Sequence, residues 1–398
     1  MLYCAGTVFR PHMRMRAEFL PFCRPSIGEA EIAAVTGVLR SGWLTTGPKT
    51  AAFERRFAER VNASGATAVG SGTAGMQLML RALDIGPGAE VITPSLTWVS
   101  TPNVIVLAGA KPVFVDVDRD TLLVTPQAIE AAITPRTKLV VPVHFAGAPA
   151  DMGPIRSLAA EKGIAVVEDA AHALGTMYRD EPVGSRGTAV FSFHPIKNIT
   201  TGEGGMICTR DAALRARLHR LRFHGLAADA HERDTQGRAP QAEVMEPGYK
   251  CNMTDIAAAL GLVQLERLKA FNRQRARLAA HYLERLAGID EVRPLGRPPY
   301  PHEHAWHLFV VRLDVDKAGI SRDHFMAELK ARNIGSGLHF KAVHLQRYYT
   351  EHLGMQRGML PHTEWNSDRL CSLPLFPDMT VEDADEVVAA IKDVLASS

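Results

Sequence analysis

FSFHPIKNITTGEGG, residues 191–205, sets one lysine, Lys197, between two apolar runs. Ala189–Phe193 precedes it, β-prone and with the hydroxyl of Ser192 inside it. The glycine-rich Thr201–Gly205 follows, and then a second apolar run, Met206–Cys208. Surface lysines usually sit among polar residues. Between two buried strands, desolvation lowers an amine's pKa and makes it nucleophilic. Two readings follow. The lysine either runs its stem along a hairpin with its head in water, or it attacks an aldehyde. The rest of the chain decides between them.

Towards the N-terminus the same kind of strand recurs. Ile164–Glu168, Leu139–Val143, Val113–Val117, Glu90–Thr93 and Ala66–Val69 are short and largely apolar. Helical patterns separate them: Met76–Leu83, Thr101–Ala108 and Ile155–Lys162. This alternation predicts an α/β fold with a mainly parallel sheet between helices. Upstream, amphipathic helices over Glu29–Arg40 and Thr50–Val61 flank the turn-rich SGWLTTGPK of 41–49. Downstream, the pattern changes near Ala212, and the polar stretch 226–248 reads as a long loop. Met253–Leu286 is helical, with Thr254 or Asp255 as its N-cap.

Beyond Gly288, RPLGRPPYP leads into a smaller α+β unit. It comprises a strand over Trp306–Leu313, a helix over Asp323–Arg332, a strand near 334–338 and a closing helix over Val381–Leu395. Thr380 and Asp383 form a capping-box pattern before that last helix. Residues 1–17 carry three arginines and no acid, without the apolar core of a secretory signal. They read as an extension upstream of a true start at Met13 or Met15, with a targeting peptide as the alternative. The expected division is therefore an extension over 1–17, a large domain over 18–265 and a small C-terminal domain over 266–398.

The composition suits a water-soluble enzyme. Of 398 residues, 46% are hydrophobic and 22% charged, which leaves ample core. A net charge of +2 argues against a nucleic acid or a membrane surface as partner. No apolar run approaches a membrane span. The five cysteines form no CxxC pair, so they read as reduced thiols of a cytoplasmic protein, with no disulfide framework or metal site.

Three further stretches carry chemistry. GSGTAG, 70–75, links a strand to a helix, so its amides form an anion site in which Gly72 allows close approach and Thr73 adds a hydroxyl. Its plain alternative is a turn. In VVEDAAHA, 166–173, Asp169 ends a buried strand, where a carboxylate is costly unless it meets a cation. It reads as the partner of a pyridinium N–H, or as a metal-binding or N-cap aspartate. His172 beside it packs on the same ring or is structural. In TPSLTWVS, 93–100, Trp98 stacks on a flat cofactor ring or belongs to the core. Taken together, a phosphate cradle, a stacking aromatic, an aspartate and a lysine suit pyridoxal 5′-phosphate. Their order is that of the aspartate-aminotransferase-like fold type I of transferases using this cofactor.

The chain resembles the DegT/DnrJ/EryC1/StrS family of sugar aminotransferases. The likeness is carried by FLPFCRP (19–25), SGWLTTGPK (41–49), EVITPSLTWVST (90–101), PVHFAGAPAD (142–151), EDAAHALGT (168–176) and FSFHPIKNIT (191–200). GRAPQAEV (237–244), PGYKCNMTDI (247–256), HAWHLF (304–309), GLHFKAVH (337–344) and EWNSDRLCSLPLFPDMT (364–380) continue it. The resemblance implies that Lys197 takes the cofactor's aldehyde and that Asp169 pairs with the ring nitrogen. It implies Gly72, Thr73 and Ser192 at the phosphate, Trp98 against the ring and His172 near the phenolic oxygen. Asn252 would reach the phosphate of the other subunit of a homodimer, and His339 would line the substrate side.

Within the family, the narrower likeness is to members that move the amino group of L-glutamate to the C4 ketone of a UDP-4-keto-pentose, for lipid A modification. Pro195 and Thr201-Gly202 depart from that pattern, where alanine and Cys-Ala are expected. Another nucleotide-linked 4-keto sugar therefore stays open. Sugar dehydratases of the family replace the lysine with histidine. A cofactor-binding regulator would carry a DNA-binding module, and a nicotinamide reductase a full glycine fingerprint.

Overall fold

A computed structural model describes residues 16–227 and 243–397. GRAPQAEV in large part, most of the 226–248 stretch and residues 1–15 lie outside the described residues. The central sheet has seven strands: β1 (Ala66–Val69), β2 (Glu90–Pro94), β3 (Lys111–Val115), β4 (Thr137–Val140), β5 (Ala165–Asp169), β8 (Thr188–Ser192) and β9 (Gly205–Cys208). Their order is β1-β9-β8-β5-β4-β2-β3. The run from β8 to β3 is parallel, and β9 is antiparallel to both of its neighbours. A small ribbon, β6 (Met177–Tyr178), β7 (Glu181–Pro182) and β11 (His302–Glu303), lies apart from it.

Both faces of the sheet are covered, which is why its strands are apolar along their length. The helices before the second unit are α1 (Glu29–Ser41), α2 (Pro48–Val61), α3 (Gly72–Ala82), α4 (Ser100–Leu107), α5 (Pro126–Ala132), α6 (Met152–Lys162) and α7 (Ala212–Leu221). Successive residues of β8 serve opposite cores. Ala189 and Phe191 join Phe53 and Phe57 of α2, while Val190 packs with α3 and α7. The short α5 is not marked in the sequence, because its seven residues span fewer than two helical turns, too few for a periodic pattern to stand out.

One long helix, α8 (Asp255–Leu286), runs unbroken for 32 residues. Its first half, with Leu265, Leu268 and Phe271, belongs to the sheet's core. Its second half, with Leu278, Tyr282 and Leu286, belongs to the smaller unit. The boundary expected at 265/266 thus falls inside a continuous helix. Residues 18–25, expected in the large domain, also join the smaller unit. The Leu20 amide donates to the Asn333 carbonyl at 2.9 Å, the Gly335 amide donates to the Leu20 carbonyl at 2.8 Å, and Leu20 is buried in that core. Arg16, assigned above to the extension, pairs with Asp383 at 2.7 Å.

The smaller unit has a sheet of β10 (Val292–Pro294), β12 (Phe309–Leu313) and β13 (Leu370–Leu373), with β12 central and antiparallel to both others. Its main helices are α9 (Arg322–Ala331), α10 (Arg347–Leu353), α11 (Pro361–Ser367) and α12 (Val381–Ala396). The strand expected near 334–338 is instead two isolated bridges, Leu20 to Ile334 and Gly337 to Ser372. Its partners come from distant parts of the chain, so no ladder extends. The Thr380–Asp383 capping box is present.

The two candidate caps of α8 divide the work. Thr254 caps α8 by accepting from the Ala257 amide at 3.2 Å. Asp255, 1% exposed, instead serves the start of α2, where Gly47 has no side chain to offer. It accepts from the amides of Lys49 (3.0 Å) and Thr50 (2.8 Å) and from the Thr50 hydroxyl (2.7 Å). Replacing it strands buried donors. Asp255→Ala is therefore expected to cost about 2–4 kcal/mol, and Asp255→Asn about half that, read as a lower urea midpoint at unchanged slope.

Candidate active site

A cavity of about 430 Å³ opens at the C-terminal ends of β5 and β8, where parallel sheets present ligand sites. Gly72, Thr73, Trp98, Asp169, His172, Ser192, Lys197 and His339 all line it. Asn252 does not. It lies beside the β1–α3 turn, bridged to Val69, with its amide donating to Thr46 Oγ1 at 2.6 Å.

One wall is the start of α3. Ser71 caps the helix by accepting from the Ala74 amide at 3.0 Å. The amides of Gly72 and Thr73, at the first helical positions, have no intrahelical partner and carry the positive end of the helix dipole. The backbone is crowded here. A Cβ on Gly205 would stand 2.7 Å from the Gly72 nitrogen, and one on Gly72 would stand 3.0 Å from Ser192 Cβ. Two glycines are needed for the helix start, the end of β8 and the start of β9 to meet. The Ser192 hydroxyl faces the same corner and accepts only a long bond, 3.4 Å, from the His194 amide.

Asp169 closes β5. Its Oδ1 accepts from the Ala171 amide at 3.1 Å and its Oδ2 from Thr101 Oγ1 at 3.2 Å. Burial still raises its pKa above the usual carboxylate range, and these bonds and Lys197 offset only part of that. Lys197, on the loop after β8, is pushed down to about 8 by burial, against the attraction of Asp169 and Cys23. The packed-stem alternative with its head in water does not match this lysine, which points into the cavity.

Two histidines of the lining, His172 and His339, are neutral. Burial, then the charge of Lys197, drives the His172 pKa well below its ordinary value. His172 Nδ1 accepts from the Ala146 amide at 3.3 Å, which leaves the proton on Nε2. Burial holds His339 down to about 3, and its Nδ1 lies 2.9 Å from Ser372 Oγ. Trp98 is 60% exposed and stands 5.9 Å from the Phe340 ring, so it is a mouth residue and not part of the core.

Sequence reading missed several members. Thr101 holds Asp169, and its signal was a hydroxyl just after the Trp98 loop. Phe340 stacks on His172 at 5.9 Å and 25°. His307, from HAWHLF, is 2% exposed and lies 4.3 Å from the His172 ring.

This donor set fits pyridoxal 5′-phosphate. The glycine-lined helix start, which a Cβ would fill, suits a phosphate. Asp169 is a buried carboxyl short of a cation, which a ring N–H supplies. Lys197 is an amine already biased to its reactive form.

Comparison with known proteins agrees. Residues 25–392 match the model of the DegT/DnrJ/EryC1/StrS aminotransferase family. DesV from S. venezuelae is 34% identical, with a TM-score of 0.86 over 95% of this chain and 99% of that one. Spr1654 from Streptococcus pneumoniae, solved in its PLP form, is 33% identical, with a TM-score of 0.87 and the same coverage. PseC from Helicobacter pylori, an aminotransferase of pseudoaminic acid biosynthesis, is 25% identical, with a TM-score of 0.89 over 96% of this chain and 100% of that one. With its fold, cavity and relatives in accord, the chain belongs to the DegT/DnrJ/EryC1/StrS family and is a pyridoxal 5′-phosphate-dependent sugar aminotransferase.

Proposed function

We propose that this enzyme moves the amino group of L-glutamate to the C4 ketone of a UDP-4-keto-pentose, giving UDP-4-amino-4-deoxy-L-arabinose and 2-oxoglutarate. Such a product serves lipid A modification and blunts cationic peptide antibiotics. One observation carries the narrower reading. The two stretches closest to this type of member, TPSLTWVST and HAWHLF, both bear on the cavity: Trp98 stands at its mouth, and His307 packs on His172, which lines it. The departures at Pro195 and Thr201-Gly202 favour a second reading, a nucleotide-linked 4-keto-6-deoxyhexose as acceptor.

When bound, the cofactor supplies an aldehyde carbon and an electron-withdrawing ring. The chain supplies the rest. Gly72, Thr73 and Ser192 hold the phosphate. Asp169 keeps a proton on the ring nitrogen, and its own pKa falls once that cation is in place. His172 offers Nε2–H to the phenolic oxygen. Lys197 Nζ would take the proton from the donor's α-carbon, hold it as the ammonium and give it back within the bound cofactor–substrate pair, and would run the same exchange in the opposite order for the acceptor. Trp98 and His339 bound the substrate side.

The enzyme works as a cytoplasmic homodimer in this reading, with Asn252 of the partner subunit completing each phosphate site. Asn252 stands outside its own cavity, and Val244 and Met245, a few residues earlier in sequence, are 60% exposed, as an apolar surface awaiting a second subunit would be. Among the described residues, no helix is long and apolar enough to cross a membrane.

Three outcomes are expected. Lys197→Ala abolishes steady turnover and the borohydride-trapped cofactor on this residue's peptide, and unchanged activity would overturn the role. In wild-type protein stripped of cofactor, the reloading rate, followed by absorbance, rises with pH and levels off above about 8. Below that the neutral fraction of Lys197 falls tenfold per pH unit, whereas an ordinary lysine would keep gaining up to about 10.4. Given L-glutamate and a panel of nucleotide 4-keto sugars, mass analysis finds the aminated UDP-pentose as the main product; a 6-deoxyhexose product instead selects the second reading.

A further inference from the structure

Ser95, His344 and Glu364 form a continuous hydrogen-bonded chain, at 0%, 0% and 5% exposure. Ser95 Oγ lies 2.7 Å from His344 Nδ1, and His344 Nε2 lies 3.1 Å from Glu364 Oε1. The His344 amide donates back to Ser95 Oγ at 3.0 Å. The serine proton is therefore given to Nδ1, and the ring proton on Nε2 to Glu364. Glu364 also accepts from the amides of Gly358 (2.9 Å) and Leu360 (3.0 Å). These donors outweigh burial and keep it ionised, while burial keeps His344 neutral.

Serine, histidine and carboxylate in series are the arrangement of an acyl-transfer nucleophile. That role is closed here. Ser95 is fully buried, lies outside the cavity lining, and has both its oxygen and its proton engaged by His344.

The chain instead joins two walls of the cavity. Ser95 follows β2 and stands three residues before Trp98. His344 stands four residues after Phe340. Besides the two bonds between Ser95 and His344, the Val343 amide donates to the Ser95 carbonyl at 3.0 Å. On the far side, Ala342 is held by Ser367 at 2.8 Å, on α11, the helix that also carries Glu364. The Trp98 and Phe340 rings then stand 5.9 Å apart at the mouth. A cavity of about 430 Å³ suits a cofactor with an amino acid, whereas a nucleotide-linked sugar must extend out past these rings.

We infer that Ser95, His344 and Glu364 are positioning residues that set the gap between Trp98 and Phe340, and so tune the fit of the sugar acceptor without touching it. This rests on the sugar aminotransferase activity and not on the pentose assigned above. The test uses holoenzyme and whichever nucleotide 4-keto sugar the wild type turns over. Failure of the pentose reading shows in the wild type itself, and failure of this inference shows only in the ratio of variant to wild type.

Ser95→Ala is expected to raise the acceptor KM about tenfold, equivalent to about 1.4 kcal/mol, with kcat within about twofold. The reaction with L-glutamate alone, read from cofactor absorbance, should also stay within about twofold. His344→Asn keeps a polar group at the Nδ1 position but loses Glu364. It should give the same split, and it carries the test if Ser95→Ala does not fold. Equal losses in both half-reactions, or an unchanged acceptor KM, would overturn the inference.

Discussion

A carboxyl and an amine share one cavity at the ends of neighbouring parallel strands, and burial pushes both towards neutrality. Asp169 and Lys197 are each out of place alone. Their mutual attraction offsets only part of the desolvation. The rest of the site accommodates that imbalance. Thr101 and the Ala171 amide support the carboxyl. The surrounding imidazoles stay uncharged, since a second cation beside Lys197 would be repelled as well as desolvated. A cofactor with a cationic ring nitrogen and an aldehyde resolves both halves of the conflict, one at each residue.

Much of this could be read from the chain before any coordinates. Lys197, Asp169 and Thr73 could be singled out because Asp169 ends a short apolar strand and the other two lie within five residues after one, where a polar group has few structural reasons to exist. The strand–helix alternation was legible for the same reason. Other features lay beyond local pattern. Asp255 looks like a cap for its own helix, but its carboxylate serves a helix start 205 residues earlier in sequence. Leu20 pairs with Ile334, and Ser95 with His344, across comparable gaps. No local period encodes such pairings. Asn252 rested on resemblance alone, and within its own subunit it lies outside the cavity, bonded to Thr46 and bridged to Val69.

The phosphate corner shows how closely backbone must approach to make a binding surface. Gly205 and Gly72 are tight not for their own flexibility but because the chain segments around them touch. The helix dipole, the Ser192 hydroxyl and the exposed amides converge there only because two Cβ atoms are missing.

The unbroken course of α8 bears on how such enzymes can be recombined. At 1.5 Å per residue its 32 residues reach about 48 Å, and the two ends are buried in different cores. The N-terminal segment around Leu20 crosses the same divide. A chimera that exchanged the second half of the chain at residue 265 would splice two foreign half-helices and leave Leu20 facing a core it did not evolve with. The Trp98 and Phe340 loops, with Ser95, His344 and Glu364 that tie them together, are a smaller matched set to exchange than a whole domain.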